Sequence, residues 1–476
     1  MLLCVACSPG LYATDLIDSL SYRVEANASF SSGRHTPFWL VSNRQGLSSI
    51  EKNNGFVRAG AGFNVDSIRK WRFSACADIA IPWNYSSRFV VQQLYGEAQF
   101  WNVSLTVGSK EKHGWAADPS LSSGDMLYSG NARPVPEVKI AIPEFIDIPG
   151  LGHWLGIRGY LSYGMFTDQR WQYSFDKNRY KHQSRVWYNT KGLIFRIGNL
   201  RKFPLQLEGG LEMGAQFGGY IYSGNTVRKM PVSLKDIIIA TLGLHGGKST
   251  PLGEQTNVYG NQVGEWVFGL KWHGKDWSVK LYYEHYFEDH SMMFFDYAWK
   301  DMLIGIEAKL PENRFVSKIV YEYLTTRDQS GPVYWDHNDK IPEQVSGRDN
   351  YYNHGIYTGW QHWGMGLGNP LLISPIYNNG MLYFSCNRID GHHLGIAGNP
   401  ADGFSYRILA SFTRGWGTYS RPFDGIRRNL SVLAEARYDF KFWKGFSATL
   451  GIAGDRGGLI GNSAGAMVSL VKTGFF

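Results

Sequence analysis

The sequence predicts an all-β fold: a transmembrane antiparallel β-barrel of about 18 strands with small helical plug elements. Three observations predict it. Aromatic residues make up 15% of the 476 residues and glycines number 56, while charged residues are only 18%. Mean hydropathy is −0.27, and no run approaches the ~18 apolar residues that a membrane helix needs. Along the whole chain, stretches of about ten residues alternate apolar and polar side chains, the period of a strand. A chain that crosses lipid on such stretches must close on itself, because an open edge would leave backbone groups unpaired.

The alternation is clearest from Glu265 to Glu288. Trp266, Phe268, Leu270 and Trp272 share one face of the first arm, and Trp277, Val279, Leu281, Tyr283 and Phe287 share one face of the second, interrupted by His285. Glu265, Lys271, Lys280, Glu284 and Glu288 occupy the opposite face. Apolar toward lipid, polar toward the lumen and aromatic at both ends is the barrel pattern. Ten residue steps at about 3.4 Å, tilted near 40°, span roughly 25 Å of membrane.

Taken in order, residues 1–13 read as the remnant of an export signal. Met1 to Cys7 resembles its apolar region without the basic start, and Ala13 ends a small-residue cleavage site. A lipoprotein reading at Cys7 fits a lipobox poorly. Residues 14–476 read as one outer-membrane barrel domain. Val57 to Val65 and Trp71 to Ile79 continue one apolar face, and Leu94–Phe100 pairs with Val103–Val107 around Trp101-Asn102. Further hairpins turn at His273, at Pro311 and at 441–445, and the chain closes on Phe475-Phe476 with Lys472 breaking the last alternation. Cys76 and Cys386 are too distant to form a disulfide framework, and each reads as a small residue within a wall strand.

Counting every such stretch gives about 20 strands. Discounting one between Val186 and Gln216 and another between Gly380 and Ala397 gives 18. That count places the tight turns in the periplasm and the long segments outside, as such barrels prefer. Segments 217–262 and 326–379 are the expected plugs. Ser233-Leu234-Lys235-Asp236 resembles a capping box for a helix over Ile237–Leu244, expected to plug the pore or cap a mouth. Arg58, Arg72, Lys280, Lys309 and Arg437 face Asp78, Glu208, Glu212, Glu284, Glu307 and Glu435 across the lumen, a mixture that suggests salt-bridge ladders in a filled barrel.

Long loops carry function on a rigid barrel. Segment 326–379 combines aromatic faces, which stack on pyranose rings, with arginines, whose fork matches a carboxylate. Its candidate ligand residues are Arg348, Tyr351, Tyr352, Trp360 and Trp363, with Arg327 and Trp335 nearby. The competing reading is that these aromatics only pack the loop into the barrel mouth. His392 and His393 point to opposite faces of a strand and cannot share a metal without a bulge. Neither a metal nor another cofactor is expected. No Gly-x-Ser-x-Gly elbow ties a nucleophile to a base, so an enzyme is not expected. The net charge of +8 is spread along the chain, which argues against nucleic acid and for an acidic partner.

Several stretches resemble the capsule assembly Wzi family of Gram-negative outer membranes. They are Ser129-Gly130-Asn131-Ala132-Arg133-Pro134-Val135-Pro136, Phe203-Pro204-Leu205 with Glu208 to Glu212, Trp360 to Pro370, and Asn387 to Gly395. The resemblance implies an outer-membrane barrel of about 18 strands with helices closing the periplasmic side. It also implies a non-enzymatic, lectin-like role in assembling or retaining capsular or extracellular polysaccharide on the cell surface. The terminal aromatic resembles the signal read by the barrel-assembly machinery, and outer-membrane lipid and lipopolysaccharide are the expected surroundings. A porin or substrate-specific channel is the alternative, since it shares every barrel feature.

Overall fold

The structure is a computed structural model that describes residues 20–476 except 69, 178, 248–249, 252–253, 256–257, 290–299, 314 and 330–348. The export-signal reading of residues 1–13 therefore lies outside the described residues. One 18-stranded sheet closes on itself. Its first strands are β1 (Leu20–Gly33), β2 (Asn54–Ile68), β3 (Trp71–Trp83), β4 (Val90–Phe100), β5 (Val103–Ser109) and β6 (Glu137–Asp147). The middle ones are β7 (Leu155–Met165), β8 (Trp187–Ile197), β9 (Leu205–Phe217), β10 (Asn261–His273), β11 (Ser278–Glu288) and β12 (Met302–Lys309). The last are β13 (Lys318–Thr325), β14 (Ile389–Ala401), β15 (Phe404–Gly417), β16 (Pro422–Asp439), β17 (Phe446–Gly457) and β18 (Ser463–Phe475). Each pairs antiparallel with its chain neighbours, and β1 closes the barrel by pairing with both β2 and β18. No edge is left for lipid to strip of hydrogen bonds.

The β10–β11 hairpin pairs Trp266 with His285, Phe268 with Tyr283 and Leu270 with Leu281. Phe268, Leu270, Trp272, Trp277 and Leu281 are exposed on the outer wall, while Glu265 and Glu284 are fully buried inside. The period-2 pattern thus sets which face meets lipid. At the C-terminus, Phe476 N–H donates to Leu20 O at 3.0 Å, and the Phe476 ring lies 5.2 Å from that of Tyr22. Lys472 donates to Lys444 O at 2.6 Å and stands over the Phe446 ring at 4.9 Å.

Connections alternate in length. Residues 101–102, 274–277 and 402–403 join strands tightly at the end where β1 starts and β18 finishes. The long connections 34–53 and 110–136, and those that leave the wall after Met165, Phe217 and Thr325, all start and finish at the other end. The α-helices of the described residues belong to that end: α1 (Phe38–Val41), α2 (Gln169–Asp176) and α3 (Leu234–Leu242). None among the described residues closes the tight-turn end.

The core sits inside the barrel and is built by the inserted loops. All of α1 is buried, and Leu121, Met126, Leu127, Tyr351, Tyr352, Trp360, Leu367 and Leu372 join it in one apolar cluster. Cys386 also lies in this packed coil, outside any strand, while Cys76 lies in β3. The helix expected as a plug does something else. Its Ser233 and Asp236 form the capping box, but its partners are outward-facing side chains. Tyr163 of β7 meets Thr241 Oγ1 at 2.5 Å, and Gln262 of β10 donates to Ala240 O at 2.8 Å. Helix α3 lies against the outside of the wall, so it cannot fill the pore.

Candidate functional site

The long-connection mouth is closed from within, and the wall acids hold the closure. Glu265 accepts the Leu127 N–H at 2.9 Å, Glu284 that of Met126 at 2.8 Å and Glu307 that of Asp118 at 2.8 Å. Glu322 accepts from Ser122 Oγ at 2.6 Å, Ser123 N–H at 2.8 Å and Tyr282 OH at 2.7 Å. Loop 110–136 has no ladder partner for these donors, and the wall carboxyl oxygens accept them instead. Ion pairs between lumen side chains also form, Arg58 with Asp78 at 2.6 Å and Arg407 with Glu435 at 2.8 Å. The expected ladders therefore exist in part, while Glu284 and Glu307 bind backbone of the plug instead. Two polar hollows of about 340 and 770 Å³ remain inside the barrel, the first around Trp115, Lys139 and Arg158 and the second around Arg58, Arg407 and Glu435.

Of the residues suggested by sequence, Tyr351, Tyr352 and Trp360 are completely buried. Their polar tips are spent within the plug: Tyr351 OH donates to Asp301 at 3.0 Å, Trp360 Nε1 to Leu127 O at 2.7 Å and Tyr352 OH to Met126 O. They have no face free for a sugar, because the apolar interior they fill holds loop to wall. Arg348 lies outside the described residues, as does Trp335. Trp363 differs from the buried three, because it is only half-buried. It has φ +56°, and its N–H is held by Asp168 at 2.9 Å. This turns its ring onto Arg133, whose guanidinium lies 4.4 Å from the ring centroid. Arg133 donates to Gly46 O, Ser86 Oγ and Ser87 Oγ, and burial pulls its guanidinium down to about 10. Trp171 and Phe175 of α2 extend the ring series.

A second cluster, which the sequence reading missed except for Arg327, lies on the same rim. Arg388 stacks 3.9 Å from the Tyr419 ring, Arg327 4.5 Å from Trp416 and Arg421 5.1 Å from Tyr383. Arg414 also faces Trp416 at 5.8 Å and forks onto Asp390 with 2.7 and 2.6 Å bonds. Tyr419 OH donates to Asp328 O at 3.0 Å, pinning the connection 418–421 to the end of β13. The available signal was Arg414, Trp416, Tyr419 and Arg421 within eight residues at a strand end. Stacked guanidiniums keep edge donors for a ligand carboxylate while the ring holds their plane. His392 and His393 do face opposite ways: His393 is buried against Ser411 Oγ and Leu121 O, both at 2.7 Å, and His392 meets Tyr321 OH at 2.8 Å on the outside.

The family model for capsule assembly protein Wzi matches residues 18–371. This chain belongs to the Wzi capsule assembly family. The match contains three of the four resembling stretches and ends before Asn387 to Gly395. No curated protein matches the chain by sequence. Among solved structures, one similar fold is Wzi of Escherichia coli, described as an outer-membrane, carbohydrate-binding β-barrel involved in group 1 capsule assembly. It is 15% identical with a TM-score of 0.58, over 96% of this chain and 84% of that one. Pseudomonas aeruginosa OccK5 (OpdH) is 10% identical with a TM-score of 0.49, over 95% of this chain and 97% of that one. The chain is thus an outer-membrane barrel of the Wzi family, with the 18-stranded closure that its sequence pattern predicts.

Proposed function

We propose that this Wzi-family barrel grips acidic capsular or extracellular polysaccharide at the cell surface through the arginine–aromatic rim, without catalysing a reaction on it. The long-connection end faces outward in this reading, because outer-membrane barrels keep short turns in the periplasm. The observation that carries it is the set of stacked guanidiniums, Arg327, Arg388 and Arg421, standing on one rim of a closed mouth. A pyranose carboxylate satisfies an arginine fork, and the ring beside it takes the apolar sugar face. Trp363 joins the site through its half-buried ring, and Arg348 remains a candidate from its segment. Tyr351, Tyr352 and Trp360 support the site from below. The filled mouth argues against an open porin. Outer-membrane lipid, lipopolysaccharide and the barrel-assembly machinery are the surrounding partners.

The test pairs glycan binding with single-channel conductance on one detergent preparation. Native protein should bind acidic polymer more tightly than a neutral one and conduct poorly, and R388A/R421A should lose about tenfold in affinity, which is about 1.4 kcal/mol. Large steady conductance with no glycan binding would instead favour a channel.

A further inference from the structure

We propose that α3 and the wall under it form a binding site for a phosphorylated glycolipid of the outer leaflet. The proposal rests on the sidedness argued above, which places this end of the barrel in that leaflet. The helix is docked on the outer wall by Tyr163 and Gln262, each within two residues of the long-connection end of its strand. That position is level with the top of the lipid-facing band. Ala240 is buried against the wall, yet Leu234, Ile238 and Leu242, one turn apart, are 75%, 50% and 64% exposed. A helix that turns apolar residues outward at this height continues the membrane surface of the barrel.

From the end of the helix at Thr241 and Leu242 an apolar groove of about 910 Å³ runs down the wall, lined by Leu193, Phe195, Leu207, Met213 and Phe268. Leu193, Phe195, Leu207 and Phe268 are themselves exposed on the lipid-facing wall. The groove is therefore continuous with an apolar belt already committed to lipid, and its shape suits an acyl chain. Cations border it where phosphates would sit. Lys191, also a groove residue, projects from the outer face of β8 beside Met213. Its Nζ donates to Asn189 Oδ1 at 3.2 Å. A lysine on a lipid-facing wall is expensive unless its ammonium reaches a headgroup. Past the start of the helix, Arg185 and Lys229 line a second hollow of about 530 Å³ with Trp187 and Asp236. Asp236 is engaged by its own helix cap, accepting from Ser233 N–H at 2.7 Å and Ser233 Oγ at 2.6 Å. An apolar groove with cations at its border fits an acylated, phosphorylated glycolipid better than a neutral lipid.

Native mass spectrometry of the full chain, released from detergent with diphosphoryl lipid A, phosphatidylglycerol or phosphatidylcholine added, tests this. The native protein should retain one diphosphoryl lipid A at concentrations where the other two are stripped. The R185Q/K229Q variant should lose about tenfold of that retention, and L234S/I238S/L242S should lose it as well, while K275Q at the opposite end keeps it. The heat-dependent gel shift of each variant shows that its barrel has assembled. Equal retention of all lipids, or unchanged lipid A retention in both site variants, would overturn the proposal. A preference for phosphatidylglycerol would overturn it too, and with it the sidedness. Acidic-glycan binding on the same samples separates the two readings: loss of lipid with glycan kept touches only this site.

Discussion

Trp360 and Arg388 both stand at the long-connection end, and they predict opposite outcomes. Trp360 is fully buried, and its ring fills the space over Gly214 of the wall, where an added Cβ would come within 2.4 Å of it. Trp360→Ala should cost about 3–5 kcal/mol of local packing. Proteolysis of 349–388 should rise steeply, with the barrel still resisting SDS. Arg388→Ala should leave the protease pattern unchanged and weaken acidic-glycan binding, more at low salt than at high, because screening already removes part of its charge. His354 adds a pH dependence. Its Nδ1 accepts from Ile356 and Tyr357 N–H at 3.1 and 3.2 Å, and burial, aided by Lys181, pulls the imidazole down to about 3. Between the ordinary 6.5 and that value the opened loop takes up a proton that the packed loop refuses. Stability of this loop should therefore fall as pH drops below 6.5, by roughly tenfold in the opening constant per unit while the packed form stays neutral. Amide exchange near 350–360 would show it, and His354→Asn, which keeps an acceptor but does not titrate, should flatten the slope.

The strands were legible because a two-residue period reports directly which face meets lipid, and Phe268, Leu270 and Trp272 point outward accordingly. The loops were not, because their contacts join residues far apart in sequence. Glu307 reads as a lumen acid that pairs across the wall, yet it holds the N–H of Asp118, 189 residues away. The same limit misplaced α3, whose capping box was visible but whose seat on Tyr163 and Gln262 was not. It also made Tyr351, Tyr352 and Trp360 resemble a sugar platform, since aromatic content is the same for a binding loop and for a packed one. The wall acids yield an element-scale prediction. Glu322→Leu removes an acceptor from three donors, and each buried donor left unpaired costs about 1–3 kcal/mol. Amides 115–127 should exchange faster, while β12 and β13 keep their protection; unchanged exchange in loop 110–136 would mean that packing alone retains it.

Closure into 18 strands constrains the whole molecule. An even number returns β18 to the end where β1 began, so both lie with the tight turns, and every long connection shares the opposite mouth. Sidedness is then a single binary choice for the rim, the plug and α3 together. An epitope inserted at Lys275 should stay hidden in intact cells, and one at Ser420, exposed in the connection 418–421 beside Arg421 and Tyr383, should be labelled. Both become accessible once the outer membrane is permeabilised. The reverse pattern would put the arginine rim in the periplasm, where it could meet polymer only before export, and surface retention would need another site. If Ser420 is labelled and R388A/R421A still holds capsule at native levels, the sidedness stands and the grip lies outside this rim, with Trp363 and Arg348 the next residues to replace.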